Sequence, residues 1–232
     1  MLRRKFLLMA ALAGIAFLFA TSAAPASTIT VMITDGGVTQ TQTLSSTTGL
    51  YTFTASTTNY SLIAGTLVAT NDNLADPTMA TLSVSLNGME KATASSGLHL
   101  LTVKVTDSNF AAAAGRQYDA TSGGFATVSG QTTLTHSSDF NAGALTLTEG
   151  PTSGTGAVFL TPASGQFTSS GGTITIADTT TITTNKTGET FTTNTASNAN
   201  IVIPEPASIA MALGGLGIVG VGAWVRRRKV KV

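Results

Sequence analysis

The sequence predicts an all-β protein: an antiparallel β-sandwich-like ectodomain rich in Ser and Thr, flanked by an N-terminal signal helix and a C-terminal transmembrane helix. Three observations predict it. Aliphatic residues recur at every second position through the middle of the chain, the period of a half-buried strand. Glycine and Asx turns separate these runs at short intervals. Two apolar segments, at 6–19 and 207–225, each lie beside a cluster of cations.

Residues 1–26 have the three regions of a secretory signal peptide. Arg3, Arg4 and Lys5 form the basic start, 6–19 the apolar stretch, and Ala24-Pro25-Ala26 the small residues of a cleavage site. Export by the Sec route is expected. The order Arg3-Arg4-Lys5-Phe6-Leu7 keeps the twin-arginine (Tat) route open as the alternative.

The strands follow in order. Residues 28–34 read T-I-T-V-M-I-T and 50–55 read L-Y-T-F-T-A. Residues 61–69, 80–86, 98–106 and 125–135 continue the alternation, and shorter runs lie at 144–148, 157–160, 172–176 and 190–192. Threonine suits these positions because its branched Cβ fits a pleated surface. Turns are expected at Asp35-Gly36-Gly37, Asn71-Asp72-Asn73, Asn87-Gly88, Gly123-Gly124 and Ser169-Ser170-Gly171-Gly172. Brief helix is expected only at 92–94 and 110–114. Short strands at regular spacing with glycine turns point to a sandwich. The exported domain is placed at 27–149. From 150 to 203 the apolar runs shorten and threonine thickens, so that stretch reads as sheet-edge strands or a stalk, with one continuous domain as the alternative.

About a third of residues 27–203 are Ser or Thr. Proline is nearly absent there (Pro77, Pro151 and Pro162), which together with the alternation argues against a disordered stalk. The same span holds four cations, Lys91, Lys104, Arg116 and Lys186, against ten acids, a net charge near −6. Nucleic acid is excluded as a partner, because no basic patch exists to neutralise phosphates. The chain has no cysteine, so stability must come from burial.

No catalytic or metal site and no cofactor is predicted. His99 and His136 are the only histidines. His99 is expected to face solvent between core leucines, Leu98 and Leu100. His136 precedes Ser137, Ser138 and Asp139, but a triad comes from separated segments, and the stretch reads as a surface loop. Zinc would need more ligands. Asn71, Asp72, Asn73 and Asp76, or Asp107 with Asn109, read as turns rather than a Ca²⁺ loop. Asp107 and Asp119 are the carboxylates a hydrolase would have to bring together. Thr-x-Thr pairs recur, but no fixed repeat supports an ice-binding solenoid. Exposed aromatics would favour a carbohydrate-binding module, and Tyr51, Phe53, Tyr60, Tyr118 and Phe125 are its candidates.

The last segment reads Pro204-Glu205-Pro206, then an uncharged, glycine-rich run at 207–225, then Arg226, Arg227, Arg228 and Lys229. A helix crossing the membrane needs about 20 apolar residues, which this run just reaches. Flanking cations stay in the cytoplasm, so the basic cluster sets the topology and the Pro-Glu-Pro triplet lies outside. Two prolines in three residues exclude helix and central strand, leaving an extended segment that a protease can read. These parts in this order, over 204–232, resemble the PEP-CTERM sorting signal, a tail also known as the ice-binding-protein C-terminal domain. The resemblance implies a substrate of exosortase, a membrane-embedded cysteine transpeptidase, with Pro204, Glu205 and Pro206 as the processing motif.

The expected function is a non-enzymatic, exported cell-surface or extracellular-matrix protein of a Gram-negative bacterium. The resemblance implies a link to exopolysaccharide and biofilm. It passes through the inner membrane as a single-pass intermediate with a cytoplasmic C-terminus. A carbohydrate-binding β-sandwich is the alternative; an ice-binding protein or a hydrolase ranks below it.

Overall fold

The computed structural model describes residues 27–70, 79–92, 94, 97–112, 114–141, 143–185 and 187–202. The expected signal peptide, the Asn71–Asp76 turn, the Pro204-Glu205-Pro206 motif, the span at 207–225 and the Arg226–Lys229 cluster lie outside the described residues. Ten strands make up the fold: β1 (Ser27–Asp35), β2 (Val38–Ser46), β3 (Leu50–Ala55), β4 (Tyr60–Thr70), β5 (Met79–Glu90), β6 (His99–Ala112), β7 (Gln117–Phe140), β8 (Leu145–Thr168), β9 (Gly172–Thr184) and β10 (Thr190–Ile201).

All pairings are antiparallel and build two packed sheets. The first runs β2-β1-β6-β9 and then the second half of β7. The other runs β3-β4-β5-β10 and then the first half of β7. β7 therefore passes from one sheet to the other: residues 118–128 pair with β10 and 133–140 with β9. β8 follows it along both halves, and the register slips between Val128 and Thr132 and again between Leu134 and His136. Bulges bend a strand and raise its twist, which lets one hairpin serve both sheets.

The alternation seen in the sequence sets the core. Ile29, Val31 and Ile33 of β1, Leu82, Val84 and Leu86 of β5, and Leu101, Val103 and Val105 of β6 all point inward. Tyr60, Tyr118, Phe110 and Phe140 are the largest fully buried side chains. Each such burial contributes about 1.5–3 kcal/mol. The rings of Tyr118 and Phe140 both stack on Phe167, at centroid distances of 5.3 and 5.9 Å. Two aromatic rings lie over glycines directly opposite them: Phe53 over Gly65 and Phe191 over Gly88. A Cβ on either glycine would come within 2.1 Å of the ring.

The open sides are blunted. Gln40 and Gln42 of β2 donate side-chain hydrogen bonds of 3.1 Å to the carbonyls of Ser56, just past β3, and Thr54 within it, closing one seam between the sheets. On the other side β8 carries Pro151 and Pro162, which lack the donor a further strand would need.

Several expectations change. The composition shift at 150 is not a change of fold, because it falls inside β8. Residues 172–201 form neither a stalk nor sheet edges: β9 lies between β6 and β7, and β10 between β7 and β5. Of the brief helix expected at 110–114, residues 110–112 are instead the end of β6, where Phe110 and Ala112 are buried. Tyr51, Phe53, Tyr60 and Tyr118 are core residues rather than exposed platforms.

Candidate functional site

The middle of the sandwich is polar. The period of two places Ser122, His136 and Ser138 of β7 on one inward face with Leu134 and Phe140. Register sets Ser138 beside Asp178 and His136 beside Thr180 of β9, while β10 supplies Ser197 from the other sheet. The Ser138 hydroxyl lies 2.6 Å from Ser122 Oγ, 2.6 Å from Ser197 Oγ and 3.2 Å from His136 Nε2. Ser197 donates to Asp178 Oδ1 at 2.5 Å, and His136 Nδ1 lies 3.3 Å from Thr180 Oγ1. Asp178 Oδ2 is buried without a hydrogen-bond partner, and both Glu149 carboxyl oxygens are buried beside the Ser122 hydroxyl.

Burial tunes these groups. It pushes Asp178 up to about 7; the Ser197 and Ser138 hydroxyls oppose the shift and the nearby Glu149 charge adds to it. Burial also raises Glu149, against the Ser122 hydroxyl beside it, and depresses His136 to about 4. The structure thus gathers Ser138, His136 and an aspartate, but the aspartate is Asp178 rather than Asp139. It sits behind a serine instead of behind the imidazole. Ser138 and His136 have no exposed surface, so no substrate reaches the hydroxyl. The cluster links β7, β9 and β10 by hydrogen bonds across the two sheets. His136 is therefore a core residue, not part of a surface loop.

A second polar group closes one end of the sandwich. Asp35 accepts hydrogen bonds from the backbone N and the Nδ2 of Asn59, both 2.8 Å. Burial raises its pKa, but hydrogen bonds from Thr57 and Asn59, with His99 nearby, outweigh this and hold it below the usual value. His99 pairs through Nδ1 with Glu90. The expected orientation of His99 is reversed: it is 7% exposed, while Leu98 and Leu100 are 76% and 53% exposed. Leu101, Val103 and Val105 set the inward parity, and His99 shares it. The signal was present in the alternation with Thr102 and Lys104.

Asp107 and Asp119 are not brought together. Asp107 is buried in β6, whereas Asp119 is exposed on β7 and accepts a hydrogen bond of 2.5 Å from Gln166 Nε2. Among the described residues no group of three or more His, Asp or Glu side chains could hold a metal ion.

The accessible candidate is the outer face of the sheet containing β10. Phe125 (46% exposed) and Phe159 (78%) are direct cross-strand partners on β7 and β8. The row continues through Asn194, Ser85, Thr66 and Thr52 on β10, β5, β4 and β3. Beside it runs a second row, Gly123, Ala196, Ser83 and Val68, whose small residues leave a depression of about 370 Å³. Phe125 was expected as an exposed aromatic; Phe159 was missed, since its neighbours Val158 and Leu160 suggest a core run.

Comparison with known proteins bears mainly on the tail. Residues 202–229 match the PEP-CTERM protein-sorting motif. That motif implies export, membrane-anchored sorting, later cell-surface localisation and processing by exosortase, a membrane protein. A comparison with curated proteins finds no match. Solved structures overlap the chain only in part. TmCBM61 in complex with β-1,4-galactotriose is 10% identical, with 56% of this chain and 86% of that one covered and a TM-score of 0.30. The N-terminal cellulose-binding domain of Cellulomonas fimi β-1,4-glucanase C is 18% identical over 52% and 80%, TM-score 0.24. The CBM22-1 xylan-binding domain of Paenibacillus barcinonensis Xyn10C is 9% identical over 66% and 86%, TM-score 0.24. Superpositions this partial say nothing about what this chain binds.

Proposed function

We propose that this chain is a non-enzymatic protein of a Gram-negative cell surface or extracellular matrix, associated with exopolysaccharide and biofilm. A signal peptide at 1–26 directs export by Sec, with Tat as the alternative. The protein then spans the inner membrane once, through 207–225, with Arg226–Lys229 in the cytoplasm. Exosortase processes it at Pro204, Glu205 and Pro206. The observation that carries this reading is the sorting motif, which begins at Val202, one residue beyond the last strand. Val202 N still donates to the Gln117 carbonyl at 2.9 Å, so the described sandwich reaches the first residue of the motif. Cleavage beyond that point would release the domain intact. The non-enzymatic reading is supported by the burial of the Ser138–His136–Asp178 group. The test replaces Pro204, Glu205 and Pro206 with alanine in the native host. Loss of processing and retention in the inner membrane are expected; unaltered release of the variant contradicts the reading.

A second reading, a carbohydrate-binding sandwich, is favoured by one observation: the exposed Phe125–Phe159 pair beside a depression lined by uncharged residues.

A further inference from the structure

We propose that the outer face formed by β8, β7, β10, β5, β4 and β3 is a binding site for a neutral polysaccharide chain laid across the strands. The proposal rests on the carbohydrate-binding reading and specifies its site and ligand class.

The aromatic end comes first. Directly opposed residues of antiparallel strands hold their Cβ atoms about 5 Å apart, so Phe125 and Phe159 set two exposed rings on neighbouring strands of one face. A monosaccharide ring has an apolar face of C–H bonds that packs on such rings while its hydroxyls stay at the rim. Aromatic side chains supply large contact area at small entropic cost.

The polar row then continues from these rings. Asn194, Ser85 and Thr66 each offer both a donor and an acceptor, matching hydroxyl groups that also do both. Six strands at about 4.8 Å spacing make the row from Phe159 to Thr52 about 24 Å long. That length suits a run of several sugars rather than a single one.

The depression is kept open by Gly123. A Cβ there would meet only Pro162, at 3.7 Å, so backbone crowding does not require the glycine. Its missing side chain leaves room for a ligand beside Phe125.

Charge selects the ligand class. The depression is lined by Thr66, Ser83, Ser85, Phe125, Asn194 and their neighbours, none of them charged. An acidic polysaccharide needs cations to offset its desolvated carboxylates, and this face supplies none. A second copy of the chain is a poorer occupant. Stable dimers bury a large patch with an apolar centre, whereas the middle of this face interleaves Val68 and Ala196 with Thr66, Ser83, Ser85 and Asn194.

Affinity gel electrophoresis of the full-length chain in detergent tests the proposal. The probes are the neutral polymers hydroxyethylcellulose, galactan and dextran, and the acidic polymer alginate. At least one neutral polymer should retard the protein and alginate should not. The double variant Phe125→Ala/Phe159→Ala should lose at least tenfold in affinity. Gly123→Trp, which fills the depression, should do the same, and Thr135→Ala on the opposite face should change nothing. Circular dichroism confirms that each variant is folded. Retardation by a neutral polymer that survives both site variants overturns this site but leaves the carbohydrate reading standing. Retardation by alginate alone overturns the ligand class. No retardation by any polymer overturns the carbohydrate reading itself. Dimerisation in light scattering that either site variant abolishes overturns the proposal in favour of self-association.

Discussion

Ser138 on β7 and Ser197 on β10 share a hydrogen bond of 2.6 Å between hydroxyls that belong to opposite sheets. The contact exists because β7 changes sheet midway: its second half pairs with β9, so Ser138 faces β10 across the core. Ser197 passes the link on to Asp178, and Ser138 also meets Ser122 and His136. Leaving a buried polar group unpaired costs about 1–3 kcal/mol. Ser197→Ala strips a partner from both Ser138 and Asp178. Thermal denaturation should show a fall of about 2–4 °C for each kcal/mol lost. An unchanged Tm would mean the bridge contributes nothing.

The same cluster sets a pH dependence with two opposite signs. Burial raises Asp178 from 3.8 to about 7 in the folded chain. A raised acid contributes stability that is full below its unfolded pKa and is lost as pH rises through the folded value. Asp178→Asn should therefore gain on the parent protein between pH 4 and about 7 and level off above. His136 is lowered from 6.5 to about 4, so its contribution is present above 6.5 and lost as pH falls through about 4. His136→Gln should gain on the parent over that acid range. Tm measured against pH for the three proteins separates the effects; parallel curves would contradict both.

Gly65 and Gly88 are predicted to be intolerant of the smallest side chain. Each sits under a phenylalanine ring that a Cβ would approach to 2.1 Å. Overpacking of this kind costs about 1–3 kcal/mol, so Gly88→Ala should displace Phe191 and lower the urea midpoint. Gly123→Ala, by contrast, meets only Pro162 at an ordinary contact distance of 3.7 Å and should stay within about 0.5 kcal/mol of the parent. Equal effects at the two positions would refute the packing argument.

Glu90 depends on His99. One carboxyl oxygen pairs with the ring and the other is already buried without a partner. His99→Ala leaves both unpaired, and removing one partner of a buried pair is destabilising by about 3–5 kcal/mol. The urea midpoint should fall at an unchanged slope. The neighbouring Leu98→Ser, at an exposed position, should shift it little. A mild effect at His99 would show that water reaches Glu90.

How much of this was legible can be seen strand by strand. Val84 and Leu86 alternate with Ser83 and Ser85, and the sandwich follows from such runs. The tail was legible because its parts are ordered: proline pair, apolar run, cations. The interior network was not. Thr180, Thr184, Thr193 and Ser197 are buried, yet in sequence they look like surface hydroxyls, because period-two arguments assume an apolar inner face. That assumption also made β9 and β10 look peripheral. His99 was misread because Leu98 and Leu100 suggested the wrong parity, and Phe159 was hidden among Val158 and Leu160. Pairing across strands, which no single strand reveals, joins Phe159 to Phe125 and Ser138 to Ser197.

A tail that serves as a temporary anchor is removed after export. Peptide mapping of the C-terminus in protein released by the native host tests this. The last peptide should contain Val202 and stop short of Trp224. Released protein whose peptides run intact through Trp224 and into Arg226 would contradict it.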